Sequence, residues 1–334
     1  MQFGPVPVDQ AQGAILAHSV ELPKGRMRKG QVLDAAAVVA LAAAGLAEVV
    51  VARLSPTDLP EDEAASRLAA ALVSDPEGQG LALSTATSGR VNLVARGPGV
   101  LEVDTAAILA LNRMCPEITL ATLPHLARVS PGMLCGTVKI ISYAVPAGLL
   151  GAACRVLQAP VRVRPVVLSD ASLILTEVPG QDPKLSRKGR RAIETRLQAL
   201  GMALAGCETV AHDEAALAAA LARAPGAMVL ILTGSATSDL HDTAPQALRR
   251  AGGRVTRFGM PVDPGNLLFL GTLGARPVIG LPGCARSPAL NGADWVLERL
   301  ACGLAVSGDD IAAMGVGGLL KESPARGRLR EAGD

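Results

Sequence analysis

Residues 233–245 read Thr-Gly-Ser-Ala-Thr-Ser-Asp-Leu-His-Asp-Thr-Ala-Pro. The apolar run Met228-Val-Leu-Ile-Leu232 precedes them and the helix-like Gln246-Ala-Leu-Arg-Arg-Ala-Gly252 follows. The stretch therefore reads as a strand emptying through a loop of small residues into a helix start. Exposed main-chain N–H groups and the helix dipole favour an anion at such a place. Thr233, Gly234, Ser235, Ala236, Thr237 and Ser238 are small enough to let a ligand touch the backbone, and several add hydroxyl donors. Asp239 and Asp242 then bring carboxylates to a site suited to anions. This combination points to a phosphorylated ligand bridged by Mg²⁺, a hard cation that takes one or two carboxylates together with phosphate oxygens. Spacing alone leaves a plainer role open for Asp242, as the N-cap of a helix beginning Thr243-Ala-Pro245.

Working outward, the carboxy-terminal half alternates strand and helix. Strands are expected over 165–176, 207–210, 227–232 and 254–258 and near 267 and 277, with helices over 186–200, 213–223, 243–251 and 287–302. This alternation predicts an α/β fold, a three-layer αβα domain whose largely parallel sheet binds its ligand at the carboxyl ends of the strands. A smaller α+β, strand-rich amino-terminal region is expected before it. There the sequence predicts helices near Asp9–Ala17 and over Asp34–Ala44, a strand over Ala47–Leu54 and a Pro-containing hinge from Ser55 to Asp62. Further on it predicts a helix over 63–76, one over Asp104–Asn112, and strands over Arg90–Ala95, Ile118–Leu123 and Thr137–Tyr143. The expected domains are 1–54, 55–160, 161–305 and a tail, 306–334.

Composition narrows the function classes. A hydrophobic fraction of 49% with only 1% aromatics implies aliphatic layers between sheet and Ala-rich helices. A net charge of +2 argues against nucleic acid or a membrane surface as partner. The cluster Lys184, Arg187, Lys188, Arg190 and Arg191 is a local exception, either a solvated helix face or a phosphate clamp. Cys115, Cys135, Cys154, Cys207, Cys284 and Cys302 lack metal-ligand spacing and read as reduced thiols, Cys284 standing nearest a motif. No segment reads as a signal peptide or membrane span, so a cytoplasmic protein is expected.

The 233–245 segment resembles the signature of the molybdopterin-binding domain found in molybdopterin adenylyltransferases and molybdenumtransferases. The adenylyltransferase pattern Thr-Gly-Gly-Thr-Gly-Pro-x-x-Arg-Asp-x-Thr-Pro superimposes without a gap and places its essential aspartate on Asp242. Two further blocks resemble the molybdenumtransferase branch. In Arg257-Phe-Gly-Met-Pro-Val-Asp-Pro-Gly-Asn266 the family's Pro-Gly falls on Pro264 and Gly265. Its Gly-Leu-Pro-Gly turn matches Gly280-Leu-Pro-Gly283, which puts Pro282 and Gly283 in the expected binding set. Val6-Pro-Val-Asp-Gln-Ala-Gln-Gly-Ala-Ile-Leu-Ala17 is similar to the family's opening block.

The resemblance implies a protein of molybdenum cofactor biosynthesis that binds molybdopterin, as its adenylated form, and inserts molybdate with release of AMP. Asp239 and Asp242 would carry Mg²⁺ and the catalysis. A homo-oligomer is implied, with a molybdoenzyme or another cofactor-biosynthesis protein as partner. Departures favour an alternative, a non-catalytic carrier of the cofactor. The family's Ser-Ala-Met-Asp-Gly-Tyr-Ala segment has no counterpart between Val20 and Lys29, and too few residues follow Cys302 for its terminal β-domain. The double glycine becomes Gly234-Ser235, Pro-Gly-Lys becomes Pro-Gly-Asn266, and His241 replaces a tyrosine. The Cβ of Ser235 disfavours positive φ and predicts an altered loop path. A nucleotide pyrophosphohydrolase is the remote alternative.

Overall fold

In strand Val229–Leu232, Leu230 and Leu232 enter one apolar core and Val229 and Ile231 enter another. Successive strand residues point to opposite faces, so a run that is apolar at every position must be covered on both sides. This is what the computed structural model shows; it describes residues 1–23, 25–157 and 159–320. Two compact units are formed, one from 1–97 and 101–164, the other from 98–100 and 165 onward.

The second unit contains, in chain order, β1 (Asp170–Glu177), α1 (Pro183–Ala199), β2 (Ala203–Ala211), α2 (Glu214–Arg223), β3 (Val229–Leu232) and α3 (Thr243–Arg250). There follow β4 (Arg254–Phe258), β5 (Phe269–Leu273), β6 (Arg276–Leu281), α4 (Gly292–Ala301) and α5 (Gly308–Ala313). Sheet order is β2-β1-β3-β6-β5-β4. The first four of these strands are mutually parallel, whereas β5 and β4 are antiparallel additions. The predicted three-layer αβα arrangement with a largely parallel sheet is thus the observed one.

The layers follow from the sequence. Ile193 and Leu197 of α1 and Val296 and Leu297 of α4 pack on one face. Leu217 and Leu221 of α2 and Ala247 and Leu248 of α3 pack on the other. Burial of each such Leu or Ile contributes about 1.5–3 kcal/mol. The chain beyond residue 305 also feeds the first face, since Ile311 and Met314 are buried in it. Glycine sets the tightest contacts. At Gly280 of β6 a Cβ would stand 1.9 Å from the Phe269 ring of β5, so the ring occupies this place only because no side chain is there.

The first unit is strand-rich, as expected. Residues 1–53 pair Gln2–Pro7 and Ile15–Leu16 with the central strand Glu48–Arg53, under helix Ala35–Ala43. Asp34 caps that helix through the amide of Ala37. The helix expected near Asp9–Ala17 does not form; only a short 3-10 turn, Val8–Gln10, precedes strand Ile15–Leu16. Gly13 takes φ +78°, which breaks the helix and turns buried Ala14 and Leu16 inward. The expected hinge from Ser55 to Asp62 is structured too. Asp58–Pro60 pairs with Ala144–Pro146, and Glu61, Asp62 and Glu63 form the acidic first turn of helix Glu61–Leu72, where the dipole favours them. Residues 58–164 add a four-stranded sheet and helices Thr105–Met114 and Ala147–Val156 around their own core. Among the described residues no helix is long and apolar enough to cross a membrane.

Candidate functional site

The sheet order defines where a ligand belongs. From β1 the chain moves outward to β2, and from β3 it moves the opposite way to β4. Helix α1 lies on one face and α3 on the other, as right-handed crossovers require. The crevice between the carboxyl ends of β1 and β3 is therefore the topological switch point, the place where open α/β sheets bind ligands. The loop after β3 is the 233–242 segment itself.

Local bonds hold that loop open. The Gly234 amide donates to Thr176 Oγ1 at the end of β1, 2.9 Å away, and Thr176 Oγ1 also lies 2.8 Å from His212 Nδ1 at the end of β2. A Cβ on Gly234 would stand 2.5 Å from Gln181 Oε1 and 2.7 Å from the Thr176 carbonyl oxygen. Close approach, not positive φ, is what requires glycine here. Ser235 is not among the residues with positive φ, so replacing the second glycine imposes no backbone strain.

The amides of Ser235, Ala236 and Thr237 have no hydrogen-bond acceptor among the described residues. Ser235 and Ala236 are exposed, whereas Thr237 is only 7% exposed. Consecutive unbonded N–H groups beside a helix start are donors of the kind that bind anions.

Asp242 is the N-cap of α3. One carboxylate oxygen accepts from the Thr243 amide at 2.7 Å and the other from the Ser238 amide at 3.0 Å, so this side chain ties both ends of the turn. Asp239 is exposed and accepts from the His241 amide. The backbone of His241, not its imidazole, makes that contact. The cap reading of Asp242 is therefore observed, and it leaves lone pairs on both oxygens for a cation.

Pro282 and Gly283 follow β6, whose end adjoins the end of β3 through the Leu232–Leu281 pairing. Gly283 is exposed and Pro282 buried. Pro264 and Gly265 lie on the loop between β4 and β5, at the same end of the sheet because β5 runs antiparallel to β6. Both are buried: the Pro264 carbonyl accepts from Gly292, and a Cβ on Gly265 would meet the Gly292 nitrogen at 2.8 Å. This block is packed against the start of α4, away from solvent.

Sequence reasoning missed Thr176, Gln181, His212 and Arg286. Arg286 Nη2 donates to the Thr233 carbonyl at 2.5 Å. Lys184, Arg187, Lys188, Arg190 and Arg191 of α1 are all exposed. None of the six cysteines is joined in a disulfide, and burial pushes the Cys302 thiol up to about 11. Cys284 is half-buried on the turn after Gly283.

The described residues contain no group of three His, Cys, Asp or Glu side chains placed to hold a metal. Asp239 and Asp242 supply hard oxygen donors of the kind Mg²⁺ prefers, with phosphate oxygens and water needed to complete its shell.

An open α/β sheet with a loop of unbonded amides at its switch point is thus the class of protein these features define. Residues 187–301 match a family described as a probable molybdopterin binding domain, and residues 5–53 match a domain of unknown function. No curated protein matches. Among solved structures, one titled the molybdopterin biosynthesis moea protein from Pyrococcus horikosii is similar at 14% identity, covering 90% of this chain and 75% of that one, with a TM-score of 0.31. The second unit therefore carries a domain related to the molybdopterin-binding family.

Proposed function

We propose that the switch-point crevice binds molybdopterin by its phosphate tail and that the chain acts in molybdenum cofactor biosynthesis. The observation that carries this reading is the run of unbonded amides at Ser235, Ala236 and Thr237, braced by Asp242, inside a segment matched to the molybdopterin-binding family. The amides and the α3 start would hold phosphate oxygens. Asp239 and Asp242 would hold Mg²⁺, which when bound supplies charge to a phosphoanhydride. Asp242 also fixes the turn, so the donors are oriented before the ligand arrives, as preorganised stabilisation requires. On the finer reading, the ligand is adenylated molybdopterin and molybdate is the second substrate, inserted with release of AMP.

A second reading, a non-catalytic carrier, draws on the first unit. Where the resemblance would place an acidic segment, the structure has a hairpin, Val20–Leu22 with Gly25–Met27, whose Glu21 is ion-paired with Arg26 at 3.2 Å. AMP release from adenylated molybdopterin, measured with and without molybdate, separates the two. Molybdate-dependent AMP supports the transferase; tight binding with no AMP supports the carrier and removes the transferase.

A further inference from the structure

Arg286 is a cation held in place but not neutralised. Its stem lies beside α1, where Gly189 is buried and a Cβ on that glycine would stand 3.6 Å from Arg286 Cγ and 2.7 Å from Leu232 Cδ2. The helix can pass this close because residue 189 has no side chain. Nη2 donates to the Thr233 carbonyl at 2.5 Å, and Nη1 reaches the Gly283 carbonyl at 3.5 Å. Nε is shielded from solvent and has no partner among the described residues. Of the five guanidinium N–H groups, two are accounted for by carbonyls.

Two other arginines show what is missing. Arg196 Nε donates to Asp294 Oδ1 at 2.5 Å, and Arg164 Nε donates to Glu102 Oε2 at 2.9 Å. Arg286 has no carboxylate within ion-pair distance among the described residues, and burial alone moves its pKa, downward. A partly buried charge without a counterion is unfavourable unless one arrives. Its carbonyl anchors, Thr233 and Gly283, are the first residue of the 233–242 loop and the second residue after β6.

We infer that Arg286 is a phosphate-binding residue of the crevice, completing the site formed by the amides of residues 235–237. The inference rests on the reading that this loop is a phosphate site, and it adds the charge-compensating residue. Guanidinium, with its planar fork, suits a phosphate oxygen pair better than an ammonium does. The phosphate could belong to a pterin side chain, to a nucleotide or to the free ion.

The test is calorimetric titration of the full chain with inorganic phosphate, pyrophosphate and AMP. It compares wild type with Arg286→Gln, Arg286→Lys and, as a control for general charge, Arg254→Gln at the exposed start of β4, at the other end of the sheet. Loss of one charge-assisted contact predicts about tenfold weaker pyrophosphate binding in Arg286→Gln. Partial recovery is expected in Arg286→Lys, and Arg254→Gln should stay within about twofold of wild type. The AMP arm separates nucleotide from bare phosphate. Should Arg286→Gln fail to fold, the Nε–H resonance in [¹⁵N]arginine-labelled wild type, assigned through Arg286→Lys, must shift on adding pyrophosphate. No pyrophosphate binding by wild type, equal weakening in Arg254→Gln, or an unmoved Nε–H resonance overturns the inference. Pyrophosphate binding without molybdopterin binding would leave Arg286 in its role and remove the pterin reading. Molybdopterin binding unaffected by Arg286→Gln would do the reverse.

Discussion

At the residue scale, Asp242 combines two roles that substitution can pull apart. As N-cap it accepts from Thr243, and as a brace it accepts from Ser238. Asp242→Ala removes both and should cost about 1 kcal/mol in urea denaturation. Asp242→Asn retains one oxygen acceptor for the cap but turns its NH2 toward the other donor, so it should cost less than Asp242→Ala, about 0.5 kcal/mol. If the carboxylate recruits Mg²⁺, the asparagine variant should nevertheless lose affinity for molybdopterin when Mg²⁺ is present; equal affinities would remove that role. Cys302 gives a prediction in pH. Its thiol is held up to about 11 by burial, so the folded state keeps a proton that the unfolded chain releases near 9. The resulting stabilisation is present below about pH 9 and lost as pH rises through 11. Alkylation rates should show Cys302 unreactive at neutral pH, and fast labelling in the native protein would contradict its burial. The sequence made the Asp242 loop legible because small residues and an aspartate before Thr-Ala-Pro carry their meaning locally. Arg286 was illegible because its unpartnered Nε depends on Gly189, nearly a hundred positions earlier in the chain, and on the absence of a distant carboxylate.

At the element scale, the Gly280-Leu-Pro-Gly283 turn holds two glycines with different reasons. A Cβ at Gly280 meets the Phe269 ring at 1.9 Å, within a fully buried strand pair, whereas at Gly283 it finds only Arg286 Nη1 at 3.5 Å. Gly280→Ala should destabilise by about 1–3 kcal/mol or more, as overpacking does. Gly283→Ala should change stability by no more than about 0.5 kcal/mol, the usual size of a tolerated surface change. Chemical denaturation of the two variants checks both; equal costs would mean that Phe269 yields freely. Strand and helix alternation in the second unit was readable because every central strand must be apolar on both faces. In the first unit the apolar spacing of Val8, Ala11 and Ala14 imitates a helix. Gly13 and pairing of Ile15–Leu16 with Glu48–Arg53 decide otherwise, and that pairing is not local information. Hinge residues Asp58–Pro60 became a strand for the same reason, their partner lying at Ala144–Pro146.

At the scale of the whole molecule, two units each have their own buried cores. Cooperative all-or-none unfolding is a property of single small domains. Scanning calorimetry should therefore give a calorimetric enthalpy above the van't Hoff enthalpy, and Gly280→Ala should shift only the part of the transition that belongs to the second unit. A single two-state transition would contradict this. Membership of the second unit was partly readable, since its alternation and motif loops lie in one continuous stretch; the inclusion of residues 98–100 and the burial of Ile311 and Met314 depend on packing alone. The proposed function turns on the crevice between β1 and β3 holding the phosphate tail of molybdopterin. Isothermal titration of molybdopterin into the full chain, in Mg²⁺ and again in EDTA, tests it most directly. A saturable single-site heat that weakens about tenfold when the metal is removed is the predicted result, the scale of one lost charge-assisted contact. No heat in either buffer, from protein whose melting transition shows it folded, would contradict the claim.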